Sequence, residues 1–207
     1  HRDCSILIKK AKITVVGSGY VGMSLSVLLA QHNDVVVLDL DPIRIDKINN
    51  KQSTVADTEI ESFLAEKSLS LDATLDKKAA YQDADFIIVD LHGEITSEKM
   101  AMGHLFDGKA TMVVGTHTHV PTSDHRILEN GTAYQTDVGM CGDYNSVIGM
   151  NKDNSLKKFL KDSSAKKHFP AIGEGTISGL MVTADNETGL AKKTEPIILG
   201  KYLDNRI

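Results

Sequence analysis

Tryptophan is absent from the chain, and aromatic residues make up only 5% of it. The core must therefore be built from Val, Ile, Leu, Met and Ala. Cysteine is scarce as well. Cys4 and Cys141 stand far apart, which excludes a disulfide-stapled scaffold and fits a reducing, cytoplasmic setting. No apolar run reaches the roughly 18–20 residues that a membrane-crossing helix needs, so no membrane contact is expected. A positive charge excess is also missing. The formal charge of −5 argues against a basic surface that wraps nucleic acid. It leaves room for a single nucleotide or nucleotide-sugar held locally. The opening stretch offers only Ile6-Leu7-Ile8 as an apolar piece, too short for a secretory signal. A first residue of His rather than Met suggests a fragment, a processed chain or a partial reading frame.

What is present is ordinary for a globular protein. The 207 residues, 41% hydrophobic and 25% charged, suffice for one large domain or two small ones. Lys12–Val16 is a β-branched run of the kind expected in a buried parallel strand. The glycine-rich Gly17-Ser-Gly-Tyr-Val-Gly22 follows, and then Val21, Leu25, Leu28 and Leu29 recur at helical spacing. A second strand, Val35–Leu38, ends at Asp39. Asp41-Pro42 opens a helix with an acid as cap and Pro at the first helical position. Residues 51–57 read as a loop, Glu59–Lys67 as a helix and Phe86–Val89 as a third strand.

The alternation continues with a helix over Thr96–Gly103, capped by Thr96 or Ser97, and a strand over Ala110–Gly115. A further strand is expected within Gly131–Asp137 and a short helix over Ser155–Lys161. Near the end, Thr176–Ala184 and Leu190–Leu199 flank Asn186-Glu-Thr-Gly189 as a β-hairpin. The pattern predicts an α/β fold: a Rossmann-like parallel sheet with flanking helices, continuing into a second α/β half that ends in the hairpin. The expected organisation is a tail over residues 1–11, a first unit over 12–89 and a second over 90–207.

The glycine turn carries the first chemistry. Gly17, Gly19 and Gly22 fit G-x-G-x-x-G between a strand and a helix, with an acid, Asp39, about 20 residues on at the tip of the second strand. Gly17 would permit the tight turn, Gly19 would let a diphosphate approach the backbone, and Gly22 would let helix and strand pack closely. The amides around Tyr20 and Val21 open the helix, where unpaired N–H groups and the dipole favour phosphate. Asp39 would accept ribose hydroxyls and repel a 2′-phosphate, which favours NAD over NADP. The alternative is a glycine turn that serves packing alone, with Asp39 a surface acid.

Lys12-Ile-Thr-Val-Val-Gly-Ser-Gly-Tyr-Val-Gly-Met-Ser24, Val37-Leu-Asp-Leu-Asp41, Glu59-Ile-Glu-Ser-Phe-Leu64 and Asp83-Ala-Asp-Phe-Ile-Ile-Val89 resemble the N-terminus of UDP-glucose 6-dehydrogenases. That resemblance covers residues 12–89 and implies an NAD-dependent oxidoreductase lineage. The thiol nucleophile that such enzymes draw from a later domain has no counterpart in the surroundings of Cys4 or Cys141.

The second chemistry lies in histidines. His92 closes one strand, and Gly115-Thr-His-Thr-His119 closes the next. On an extended segment, period 2 would set His117 and His119 on one face. Neutral imidazoles at strand tips suit Mn, Fe or Zn. The alternative is a set of hydrogen-bonded histidines at a strand end. His1, His32, His104, His125 and His168 read as surface or packing residues.

Asp90-Leu-His-Gly-Glu-Ile-Thr-Ser-Glu-Lys99, Val114-Gly-Thr-His-Thr-His-Val-Pro-Thr122, Thr136-Asp-Val-Gly-Met140 and Ser146-Val-Ile-Gly-Met150 resemble the C-terminal half of YmdB-type metallophosphoesterases. That resemblance implies hydrolysis of 2′,3′-cyclic nucleotides at a two-metal site, with His92 and His117 on one divalent ion and His119 on the other. It also implies an Asp, a Glu, an Asn and a Gly-Asn-His loop from an N-terminal half, and those motifs do not occur in this sequence. Asp90, Glu94 and Asp137 are the nearby carboxylates. Both resemblances imply a homo-oligomer. Three outcomes stay open: an NAD-binding unit fused to a partial phosphodiesterase, an active metal-dependent phosphodiesterase, or a truncated or chimeric chain without activity.

Overall fold

A computed structural model describes residues 10–206. The expectations about the opening residues and Cys4 lie outside the described residues. The described chain divides into two compact units. One runs through Asp90 and takes in Asn186–Gly189; the other comprises Leu91–Asp185 and Leu190 onward.

In the first unit the elements are β1 (Lys12–Val16), α1 (Tyr20–Leu29), β2 (Asp34–Leu38), α2 (Pro42–Asn49), α3 (Thr58–Glu66), β3 (Leu71–Thr74), α4 (Lys77–Tyr81) and β4 (Phe86–His92), the division falling inside β4. The strands lie in the order β3-β2-β1-β4, and each neighbouring pair is parallel. Strands buried on both faces need apolar residues throughout, which is why β1 and β2 read as unbroken Val and Ile runs. Val37 is buried among Met23, Val27, Ile48, Ile60 and Leu64, while Ile13, Val15 and Val35 pack with Ala30. Each such side chain contributes about 1.5–3 kcal/mol on burial. The helices start on acids. Asp41 accepts the amide of Ile43, Asp57 those of Glu59 and Ile60, and Asp76 those of Lys78 and Ala79.

The sequence pattern marks neither β3 nor α4. The strand is four residues long and the helix five, too short for either periodicity to register. The Asp76 cap was the one available signal.

The second unit holds α5 (Thr96–Phe106), β5 (Met112–Thr116), β6 (Arg126–Ile127), β7 (Ala133–Gln135), α6 (Lys152–Phe159), β8 (Ile177–Ala184) and β9 (Ala191–Leu199). β5 pairs with β7 in parallel, β7 with β6 antiparallel, and β8 with β9 as the expected antiparallel hairpin. The α/β class with mostly parallel strands and a C-terminal hairpin is thus the observed architecture.

Two helix starts differ from expectation. α5 is capped at Ile95 without a side-chain bond, because Thr96 has already entered the helix. α6 begins at Lys152, earlier than the expected Ser155, because Asn151 caps it through the amide of Asn154. α5 lies tightly on the strands: a Cβ at Gly103 would sit 2.6 Å from the Tyr134 ring.

The glycine turn is packed as its spacing suggests. Gly17 has φ +94°, and a Cβ at Gly22 would fall 2.1 Å from the Gly17 carbonyl oxygen, whereas one at Gly19 would meet nothing within 4 Å. Gly22→Ala gains about 1 kcal/mol of helix propensity but forces a backbone clash of about 1–3 kcal/mol or more. Urea denaturation is therefore expected to show Gly22→Ala destabilised, with Gly19→Ala close to the wild type. Equal midpoints for all three would refute the close approach.

Candidate functional site

The glycine turn and its acid come first. α1 begins at Tyr20 with Gly19 as its cap residue and no side-chain cap bond, so the helix start presents backbone amides beside the open space at Gly19. Tyr20 turns its hydroxyl to the Ala56 carbonyl at 2.5 Å. Asp39 faces the turn. Its Oδ2 accepts the Ser18 amide at 2.8 Å and the Ser18 hydroxyl at 2.5 Å, and its Oδ1 accepts the Asp41 amide at 3.0 Å. Burial alone would raise this carboxyl, but the Ser18 hydroxyl and the amides of Asp41, Ser18 and Leu40 outweigh it and hold it below the ordinary carboxylate value. Both carboxylate oxygens are thus committed to shaping the turn, and Arg44 Nη1 lies 3.9 Å from Oδ2.

The histidines lie in the second unit. His92 is the last residue of β4, and His117 follows β5. His92 Nε2 and His117 Nδ1 face each other at 3.2 Å, with the rings edge to face. The outer nitrogen of His117, Nε2, lies 3.2 Å from Glu94 Oε2. The outer nitrogen of His92, Nδ1, lies 3.1 Å from the Thr116 hydroxyl. One set of proton positions satisfies every member: Thr116 donates to His92 Nδ1, His92 Nε2–H to His117 Nδ1, and His117 Nε2–H to Glu94. If Thr116 accepts instead, the His92 tautomer reverses and two lone pairs face one another, which is the tautomer that shared binding of an ion would require.

His119 does not join them. Its Nδ1 is 2.9 Å from the Ile148 carbonyl oxygen. The expectation that period 2 would align His117 with His119 fails for a backbone reason: β5 ends at Thr116, and the two histidines have φ +111° and +66°. The segment is a turn, and left-handed conformations at non-glycine residues cost about 1–3 kcal/mol each unless their surroundings impose them.

Of the nearby carboxylates, Glu94 meets the histidines and Asp137 does not. Asp137 is fully buried and ion-paired with Lys99, Nζ to Oδ2 at 2.9 Å. The same oxygen accepts the Thr118 amide at 3.0 Å, and Oδ1 accepts the Gly139 amide at 2.9 Å. Burial would raise Asp137, but the Lys99 ammonium and the amides of Gly139 and Thr118 prevail and hold it below the ordinary value. Sequence reasoning missed Lys99, because a Lys in a polar helix reads as solvated. It also missed Ile148, whose carbonyl carries no side-chain signal.

A divalent ion finds suitable donor chemistry at His92 and His117, since neutral imidazoles are ordinary ligands for Mn, Fe and Zn. In the tautomer with His92 protonated on Nδ1, the facing nitrogens would offer an ion two lone pairs. Glu94 lies on the far side of His117, where a carboxylate orients a ligand ring rather than binding the ion. Among the described residues, no three His, Cys, Asp or Glu side chains are grouped to hold a metal. No described helix is long and apolar enough to cross a membrane.

Parallel strands with imidazoles gathered at their tips define the chain as an α/β protein with a strand-tip histidine centre. It belongs to the YmdB-like family, whose model matches residues 43–197. The chain is 40% identical over 156 residues to the 2′,3′-cyclic-nucleotide 2′-phosphodiesterase of Bacillus subtilis, covering 74% of this chain and 58% of that protein. It is 47% identical over 78 residues to a UDP-glucose 6-dehydrogenase of Streptococcus pneumoniae, covering 38% of this chain and 20% of the other. A crystal structure described as a novel phosphatase from Mycoplasma pneumoniae superposes with a TM-score of 0.56 at 26% identity, covering 90% of this chain and 81% of that one. The chain spans about half the length of the curated phosphodiesterase relatives it matches.

Asp137 sets a pH dependence of defined sign. Its folded carboxyl titrates below the ordinary 3.8. The stabilisation is therefore fully present above that value and is lost as pH falls through the depressed one. Denaturation between about pH 6 and about pH 2 is expected to show a constant difference from Asp137→Asn near neutrality that changes only on the acid limb. A pH-independent difference would count against an ionised Asp137.

Proposed function

We propose that the chain joins a dinucleotide-binding turn to the histidine half of a YmdB-type phosphoesterase, and that phosphodiester hydrolysis is the activity its geometry supports best. The substrate class is a 2′,3′-cyclic nucleotide, as the name of the Bacillus subtilis relative suggests. The observation that carries this reading is the facing pair, His92 Nε2 and His117 Nδ1, with Glu94 on the outer nitrogen of His117.

His92 and His117 would hold a divalent ion through those facing nitrogens. A bound ion supplies charge neutralisation for the phosphate and an acidified water. Glu94, by taking the His117 Nε2–H, fixes the ring's tautomer and direction. His119 offers a further imidazole on the same turn, held by the Ile148 carbonyl. The donors that the family resemblance implies from an N-terminal half are missing from this sequence. Transition-state stabilisation draws on the whole constellation, so the rate should be low.

A second binding reading is favoured by the open space at Gly19 and the close approach at Gly22. The first unit would take NAD, with the diphosphate against the amides from Gly19 to Gly22, including those of Tyr20 and Val21. Asp39 would act chiefly by shaping the turn from beneath.

The purified chain supplied with Mn²⁺ is expected to hydrolyse 2′,3′-cyclic AMP slowly, and His117→Ala to lower that rate about a hundredfold. Absence of hydrolysis with Mn, Fe and Zn alike would overturn the phosphoesterase reading. Calorimetry should detect NAD binding that Gly19→Val abolishes and Asp39→Ala weakens. A wild-type chain giving no heat with NAD would reduce the turn to a packing feature.

A further inference from the structure

The most buried charges of the second unit lie directly behind the histidine turn. Lys99 is 2% exposed and Asp137 0%. Thr118, whose amide Asp137 holds, sits between the two left-handed histidines. The contacts of His117 and His119 themselves, to Glu94, His92 and Ile148, are exposed. The least exposed of these restraints is therefore the part-buried one supplied by Asp137.

The path of the Lys99 side chain is built for this contact. A Cβ at Gly115 would lie 2.7 Å from Lys99 Cδ and 1.9 Å from the Thr136 carbonyl oxygen. Glycine at 115 thus lets the lysine stem pass over β5 to the tip of β7. One helical turn further along α5, Gly103 seats against the Tyr134 ring, which sets the helix at the height the lysine needs. Without its ammonium, a buried carboxylate would be driven to protonate and would lose strength as an acceptor of the Thr118 and Gly139 amides.

We propose that Lys99 and Asp137 are positioning residues: their buried ion pair holds the Thr118 amide and thereby fixes the turn that presents His117 and His119. What those imidazoles do rests on the phosphoesterase reading, but the positioning claim concerns the metal-free chain and is tested there. A buried ion pair is weak evidence for a role in stability, since replacing both partners by apolar residues of similar volume is often neutral or stabilising. That property separates a structural role from a positioning one.

The test is hydrogen exchange of the metal-free protein, comparing the Thr118 amide with that of Ala133, which donates to the Thr111 carbonyl within the β5–β7 pairing. In the double variant Lys99→Met with Asp137→Leu, the Ala133 amide should keep its protection while the Thr118 amide exchanges about tenfold faster or more. In Asp137→Asn, which leaves the buried lysine unpaired, the Thr118 amide should lose protection by a larger factor than that of Ala133. In a wild type that hydrolyses substrate, the folded variants should lose kcat more than they raise KM. Thr118 protection equal to wild type in either folded variant overturns the proposal. Loss of Ala133 protection in both variants means that the pair serves global stability, and this also overturns it. Failure of wild-type hydrolysis removes the phosphoesterase reading and leaves the exchange result to decide the positioning claim.

Discussion

A single buried carboxylate oxygen organises the second unit. Asp137 Oδ2 accepts from a lysine that has crossed a strand and from an amide inside a strained turn. Neither donor could be left bare at that depth, because an unpaired charge or amide away from water costs more than an ordinary hydrogen bond returns. The lysine's route demands glycine at 115, and the seating of α5 demands glycine at 103. Several features that read separately in sequence are thus consequences of satisfying one oxygen.

The first unit uses an acid in a comparable way. Asp39 accepts the amide and hydroxyl of Ser18 and the amide of Asp41, so the glycine turn is held from below by a carboxylate at the tip of β2. In both units an acid that sequence position suggests for ligand contact spends most of its acceptor capacity on the backbone of the turn that bears the site. Preorganisation is the physical gain. A turn already fixed by buried hydrogen bonds need not be ordered when a ligand arrives.

The legible parts of the fold were those with long or strongly periodic signals. The Val-rich β1 and β2, the Asp41-Pro42 helix start, the glycine spacing and the terminal hairpin all follow from rules acting within a few residues. β3, α4 and the true start of α6 were not legible, since they depend on tertiary pairing or on a cap outweighing a pattern. The site was legible in its residue types and only partly in its geometry. That His92 and His117 approach each other follows from the Gly93 amide meeting the Thr116 carbonyl, which holds the two chain segments together within the second unit. That His119 turns away follows from positive φ at two non-glycine residues, which no local propensity announces. Lys99 was invisible because a buried lysine differs from a solvated one only in its partner.

The family match begins at residue 43, inside the segment 12–89 whose motifs resemble the dehydrogenases. The overlap has a physical basis. Both lineages lay apolar strands against amphipathic helices in α/β order, and a strand such as β4 satisfies either pattern. Packing tolerates substitution that conserves volume and pattern, but reactivity depends on donors placed to within fractions of an ångström. The two facing imidazoles, Glu94 beside His117 and the buried Lys99–Asp137 pair all lie within the second unit, so their mutual placement is fixed by that unit's own packing.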